Sequence, residues 1–193
     1  MFRKFSNWLR KKSSGWVTLI ALIIFILFTA LVLPGQASNA RENTGFDRSP
    51  DMSFFYSADD LYQMAEAYGE TGRAAYIRAR FTFDLIWPLV YAMFLITSIS
   101  WLYGKAVKPG SAWQLANLSP VLGLAFDYLE NIASSTVMAR YPSRTLGIDQ
   151  LAPLLTLVKW VFVGGSFLLL AIGIGFALWH WAQNKLASKA RKG

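Results

Sequence analysis

The sequence predicts an all-α membrane protein, a four-helix transmembrane bundle with a short amphipathic helix in the outer loop between spans one and two. Of its 193 residues, 54% are apolar and 16% aromatic, whereas only 16% are charged. A soluble domain of this length needs less apolar surface to fill its core. Four apolar segments are each long enough to cross a hydrocarbon core of about 30 Å as a helix. Most basic residues stand outside these segments.

The four predicted spans cover residues 16–33, 81–103, 113–138 and 151–181. The third has the weakest hydropathy because the polar run "FDYLENIASS" at 126–135 lies within it. The remaining segments alternate between the two sides of the membrane. They are a basic cytoplasmic N-terminus (1–15), an extracytoplasmic loop with short helices (34–80), a cytoplasmic link (104–112), an outer link (139–150) and a basic cytoplasmic tail (182–193).

Charge predicts the orientation of these spans. Lysine and arginine without acids dominate 1–15, 104–112 and 182–193, whereas the loop 34–80 mixes arginines with acids. By the positive-inside rule both termini are cytoplasmic, and we expect a multi-pass protein of the bacterial inner membrane. The net charge of +8 then reflects topology and contact with anionic membrane lipids, and we expect no nucleic-acid partner.

The first apolar segment has two interpretations. A basic start, an apolar run and the residues "SNA" at 38–40 are typical of a cleaved export signal. The apolar run is longer than the core of such a signal, which favours a retained anchor. Cysteine is absent from the sequence, so disulfides and thiol redox chemistry are excluded.

The outer loop contains one clear helix signal. Residues 33–52 are rich in Gly, Ser, Asn, Pro and Asp and predict a flexible linker. Ser57 and Asp60 then have the spacing of a capping box, and Gly69 is placed to end the helix. An apolar stripe follows the cap at helical spacing, formed by Leu61, Met64, Ala65 and Tyr68. This helix lies either on the outer membrane interface or against the outer ends of the spans. A second helix leads through Tyr76 and Arg80 into span two.

Ionisable residues within three spans predict a shared polar cluster. Side chains at i, i+3 and i+4 share one helix face, so Asp127, Glu130 and Asn131 point away from lipid together. Span two contributes Asp84 one turn before Pro88, which removes a helical N–H. Span four contributes Lys159, which we expect to pair with Glu130 or Asp127 because an unpaired charge inside a membrane is costly. The polar cluster is therefore defined as Asp84, Asp127, Glu130, Asn131 and Lys159.

Aromatic residues near the polar cluster are candidates for the lining of a pocket. They are Trp87, Tyr91, Tyr128 and Trp160. His180 is the single histidine and lies near the cytoplasmic end of span four, so haem ligation by paired histidines and a histidine metal site are excluded. No metal site and no cofactor are expected. Small residues in span four, including Ala171 and Gly175, are typical of close helix packing.

Four functions are compatible with a buried polar cluster. The leading expectation is a component that binds a lipid or a small apolar or amphipathic ligand, or that assists a membrane-protein partner, without chemistry of its own. A membrane enzyme would use Asp127 or Glu130 for proton transfer on a lipid or isoprenoid substrate. A small ion or proton-coupled transporter would need access from both sides. The cluster can also act only as interhelical glue.

Several stretches resemble a known pattern. The run "AYGETGRAAYIRARFTFDLIWPLVY", followed by "DYLEN", "RYP" and "VKW", resembles an uncharacterised family of four-span bacterial integral membrane proteins. That resemblance extends over residues 55–161 and implies no activity. The architecture is also similar to the four-helix group of sterol isomerases and the sigma-2 receptor, which implies short outer helices and carboxylates in a membrane cavity. The histidine and paired glutamate of that group have no match here, so no catalytic residue is transferred.

Overall fold

The computed structural model describes residues 1–44 and 49–190, and every regular element within these ranges is a helix. The α-helices are α1 (Phe2–Lys12), α2 (Gly15–Leu31), α3 (Leu33–Thr44), α4 (Ala58–Arg80), α5 (Phe83–Ala106), α6 (Ser119–Arg140) and α7 (Ile148–Ala190). Two 3₁₀ helices, Pro50–Met52 and Ala112–Leu118, precede α4 and α6. The predicted all-α class is confirmed.

Three helical stretches of the described chain are long and apolar enough to cross a membrane. They are Gly15–Asn39, Ala58–Ala106 and Ile148–Lys185. The second joins α4 to α5, and its apolar part is α5 because α4 carries many charges. The 22 residues of α6 extend over about 33 Å at 1.5 Å per residue, but the polar run at 126–135 lowers its hydropathy. The fold therefore contains three helices of span-like composition and a fourth of span-like length.

The segment after α2 is helical, so the flexible linker expected at 33–52 is wrong for much of its length. α3 covers Leu33–Thr44, and the N–H of Gln36 donates to Val32 O at 3.1 Å. Extending an existing helix costs far less than nucleating one, so the helix continues after α2 although this segment is rich in residues of low helix propensity. Pro34 lies in the first turn of α3, where proline is tolerated. Residues 45–48 of the expected linker lie outside the described residues.

The basic N-terminus contains a helix that the sequence analysis did not predict. α1 turns its polar Ser6 towards the bundle, where the Ser6 hydroxyl contacts Gln114 O at 2.8 Å and Asn117 Oδ1 at 2.7 Å. The apolar side chains Phe2 and Trp8 are instead exposed by 74% and 54%. α1 is therefore held to the end of the bundle by polar contacts and leaves its aromatic residues on the surface.

α4 has the predicted cap and the predicted break. The Asp60 N–H donates to Ser57 Oγ at 3.1 Å, and the Ser57 N–H donates to Asp60 Oδ2 at 2.8 Å. Gly69 has φ 62°, a left-handed conformation that divides α4 into two helical segments. Leu61 and Ala65 of the apolar stripe are fully buried and belong to one core with residues of α6 and α7. α4 thus packs on the C-terminal part of α6 and the N-terminal part of α7, as the second interpretation expected of the adjoining helix ends.

Two glycines allow close approaches between the long helices. A Cβ added at Gly123 of α6 would stand 3.0 Å from Val163 of α7. A Cβ added at Gly173 of α7 would stand 2.8 Å from the ring of Tyr103 on α5. A Cβ added at Gly175 would have no neighbour within 4 Å, so this glycine makes no close approach to another helix of the described chain.

Candidate functional site

A buried ion pair joins α6 to α7 at the centre of the polar cluster. Lys159 Nζ lies 2.9 Å from Glu130 Oε2, and Glu130 is fully buried. The expected pairing of Lys159 with Glu130 or Asp127 is therefore confirmed, with Glu130 as its partner. The second oxygen, Glu130 Oε1, is buried and has no hydrogen-bond partner in the described part of the chain.

Asp51, a residue that the sequence analysis missed, adds to the cluster from the 3₁₀ helix Pro50–Met52. Lys159 Nζ and Trp160 Nε1 each donate to Asp51 O at 3.2 Å. The Asp51 carboxylate lies 2.7 Å from Arg80 Nη1. Burial opposes ionisation of Asp51, but the nearby Arg80 and Lys159 cations outweigh it and hold the pKa of Asp51 below its usual value. No local pattern could have identified this residue, because its partners lie far away in sequence.

Arg80 links Asp51 to Asp84 at the start of α5. Its Nε lies 2.8 Å from Asp84 Oδ2 across one helical turn. Neither atom makes a hydrogen bond of acceptable geometry, so the contact is an ion pair only. The guanidinium carbon also lies 4.6 Å from the centroid of the Tyr76 ring. Asp84 is therefore joined to the cluster through Arg80 and Asp51, and its salt bridge is not with Lys159.

Asp127 and Asn131 lie on the predicted face of α6 but have different surroundings. The Tyr91 hydroxyl donates to Asp127 Oδ2 at 2.7 Å, and no described cation lies within salt-bridge distance of this carboxylate. Both amide atoms of Asn131 are buried and have no hydrogen-bond partner among the described residues. The structure thus gathers the five predicted residues in one region but places only Lys159 and Glu130 in direct contact.

The four aromatic candidates mostly connect helices. Trp87 stacks on Phe25 and Phe28 of α2, with centroid distances of 5.8 and 5.6 Å. The Tyr128 hydroxyl donates to Leu85 O at 2.8 Å, next to the carbonyl that Pro88 deprives of its helical donor. Tyr91 and Trp160 bind Asp127 and Asp51, as described above. Their role in lining a pocket stays a prediction.

A groove opens beside the polar cluster between the second half of α4 and α6. This outer groove has a volume of about 290 Å³ and is formed by Ile77, Phe81, Ile132, Ser135, Thr136, Ala139 and Arg140. Ser135 Oγ is buried there without a hydrogen-bond partner in the described chain. Its walls contain no carboxylate, so the groove and the ionic contacts are neighbouring but separate features.

Comparisons with protein-family models, with curated proteins and with solved structures find no match to this chain. No family is assigned. The resemblance to four-span bacterial proteins and the architectural similarity to the sterol isomerase group stay predictions, and the site is interpreted from its own geometry. Within the described residues, no group of three or more His, Cys, Asp or Glu side chains is arranged to hold a metal ion.

Proposed function

We propose that this protein is a four-span component of the bacterial inner membrane that binds a lipid or a related amphipathic ligand in the outer groove and has no chemistry of its own. The observation that carries the proposal is the Ser135 hydroxyl, which is buried in the groove wall without a partner. A buried hydroxyl without a hydrogen bond is unfavourable, and rotation of the Ser135 side chain into the groove would let a polar ligand atom satisfy it.

The contacts around the groove support a structural role for the polar cluster. One wall is the second half of α4, which Arg80 ties to Asp51 and to Asp84 of α5. The other wall is α6, which Glu130 ties to α7 through Lys159. Interhelical polar contacts of this kind set the register of helices in lipid. In this proposal the cluster holds the two walls at a fixed separation and takes no part in a reaction.

The walls of the outer groove suit an amphipathic occupant. Phe81 and Ile132 are exposed by 48% and 54%, so apolar surface is open to an acyl or isoprenoid chain. Arg140 lies at the outer end of α6 and offers its guanidinium to a phosphate or carboxylate headgroup. Thr136 and Ser135 add hydroxyl groups between these two regions.

Native mass spectrometry of the full-length protein released from membranes tests this proposal. Ala139→Phe places a ring in the groove and should remove the retained lipid. Ala125→Phe is the matched control, because Ala125 is also exposed on α6 but lies outside the groove. Equal lipid retention by both variants would contradict the assignment of the groove.

An enzyme is the second candidate, and one observation favours it. Asp127 is hydrogen-bonded to Tyr91 and has no described cation as a partner. Its carboxyl group can therefore exchange a proton with a substrate. Glu130 is less suited because Lys159 already neutralises it. A lipid adduct of changed mass that disappears in Asp127→Asn, while lipid retention persists, would favour the enzyme over the binding component.

The topology is also part of the proposal. Reporter fusions at the C-terminus and within 104–112 should report the cytoplasm, because these segments are basic. A fusion within 57–72 should report the outer side. A cytoplasmic signal from 57–72 would require a different arrangement of the spans.

A further inference from the structure

A second groove lies at the opposite end of the bundle, where α1 crosses the end of α5. This basic groove has a volume of about 630 Å³, within the range of small-molecule sites. Its charged lining residues are all cations, namely Arg3, Arg10, Lys11 and Lys105. None of the four lies within salt-bridge distance of a described carboxylate. Four cations therefore converge on one cavity, and no carboxylate of residues 1–44 or 49–190 pairs with them.

The frame that holds these cations is built from buried polar contacts. Asn117 is 1% exposed, and its Nδ2 donates to Ser6 O at 3.1 Å and to Ser100 Oγ at 2.9 Å. These bonds join α1, α5 and the 3₁₀ helix at Ala112–Leu118. The Arg10 stem packs against Gly104, where an added Cβ would stand 3.4 Å from Arg10 Cδ. The cations thus surround a defined cavity and are not spread along a mobile tail.

The surroundings of the basic groove are those of a membrane interface. Phe5 and Trp8 stack at 6.0 Å on the exposed side of α1. Lys105 Nζ lies 4.2 Å from the centroid of the Trp101 ring. Aromatic side chains beside lysine and arginine are typical of helices that lie at the level of lipid headgroups. The groove therefore opens where phosphate groups of the adjoining leaflet are found.

We propose that the basic groove binds the phosphate of an anionic phospholipid of that leaflet. Arginine guanidinium groups bind phosphate oxygens through paired hydrogen bonds, and lysines add charge. Arg3 Nη1 donates to Gly110 O at 3.3 Å, which orients its guanidinium while leaving further N–H groups for phosphate. This site lies apart from the outer groove, so the proposal rests on the membrane location but does not depend on a ligand in that groove.

The test uses the full-length protein in a nonionic detergent, titrated with dioctanoyl-phosphatidylglycerol, dioctanoyl-phosphatidylcholine and inorganic phosphate. Arg10→Gln with Lys105→Gln removes two charges from the basic groove. Each charge contributes roughly fivefold to the binding of an anionic lipid, so the double variant should bind phosphatidylglycerol about 20- to 30-fold more weakly. Lys4→Gln with Lys12→Gln is the matched control, because it removes the same charge from exposed positions of α1 outside the groove.

Tight binding of phosphatidylglycerol that only the groove variant loses would support the proposal. Equal losses in the two double variants would overturn it, because they would indicate diffuse surface charge. Equal binding of phosphatidylcholine would also overturn it. Inorganic phosphate that binds as tightly as phosphatidylglycerol would retain a phosphate site but overturn the lipid as its source. If the groove variant does not fold, Arg3→Gln with Lys11→Gln replaces it, since both residues are exposed.

Discussion

Replacing Lys159 by Met is the most direct test of the buried ionic contacts. The substitution keeps most of the length of the side chain but removes the charge that lies 2.9 Å from Glu130 Oε2. Glu130 is fully buried and its other oxygen is already without a partner. Removing one member of such a pair costs about 3–5 kcal/mol, because it leaves a buried charge uncompensated. The lost hydrogen bond to Asp51 O adds about 0.5–1.5 kcal/mol.

The double variant separates these two contributions. Adding Glu130→Gln to Lys159→Met removes the stranded charge and should restore most of the stability. What remains is the lost hydrogen bond to Asp51 O, which is small because Trp160 Nε1 still donates to the same oxygen. Chemical unfolding in detergent, followed by tryptophan fluorescence, measures all three proteins.

Lys108→Met is the control for a lysine that lies on the surface. It should leave the free energy of unfolding within about 0.5 kcal/mol of the wild-type value. A Lys159→Met protein as stable as this control, or a double variant no more stable than the single one, would refute the ion pair as a structural element.

Three further perturbations test other contacts. Gly173→Ala should destabilise the protein by about 1–3 kcal/mol because the added methyl group overpacks the contact. Gly175→Ala is the control and should not destabilise the protein, because its added methyl group has no neighbour within 4 Å. Equal shifts of the melting temperature in the two variants would contradict the close approach of α7 to α5. Tyr91→Phe should cost about 1–3 kcal/mol because the buried Asp127 carboxylate loses its donor; an unfolding midpoint equal to that of wild type would argue against this bond. The lowered pKa of Asp51 means that its contribution is complete above about pH 4 and is lost as the pH falls through the folded pKa. The difference in stability between wild type and Asp51→Asn should therefore begin to narrow below about pH 4. A difference that stays constant from about pH 7 to about pH 3 would contradict this pKa.

Local patterns predicted the features whose partners are near in sequence. The Ser57 cap and the break at Gly69 depend on a few adjacent residues, so spacing was sufficient to identify them. The shared face of Asp127 and Glu130 follows from helical geometry alone. The high cost of an unpaired charge then predicted a partner for Lys159, and the structure contains it.

Other features depended on contacts between residues that are far apart in the sequence. The composition of 33–44 suggested a linker, but its position directly after α2 made a helix favourable. α1 was missed because a short, very basic segment has little helical stability of its own, and its order comes from the Ser6 and Asn117 contacts with the bundle.

The sequence by itself determined that the chain is helical and apolar enough for a membrane, and that charged residues inside its helices need partners. These properties follow from the composition, from the helical spacing of apolar residues and from the cost of a buried charge, and all three can be read from short stretches of sequence. Only the tertiary structure decided that Glu130 is the partner of Lys159, that Asp51 adds to the cluster, and that two grooves lie outside it. Several residues have the chemistry to be the partner, and the packing of distant segments determines which one lies close enough. Those distances cannot be derived from the spacing of residues in the sequence.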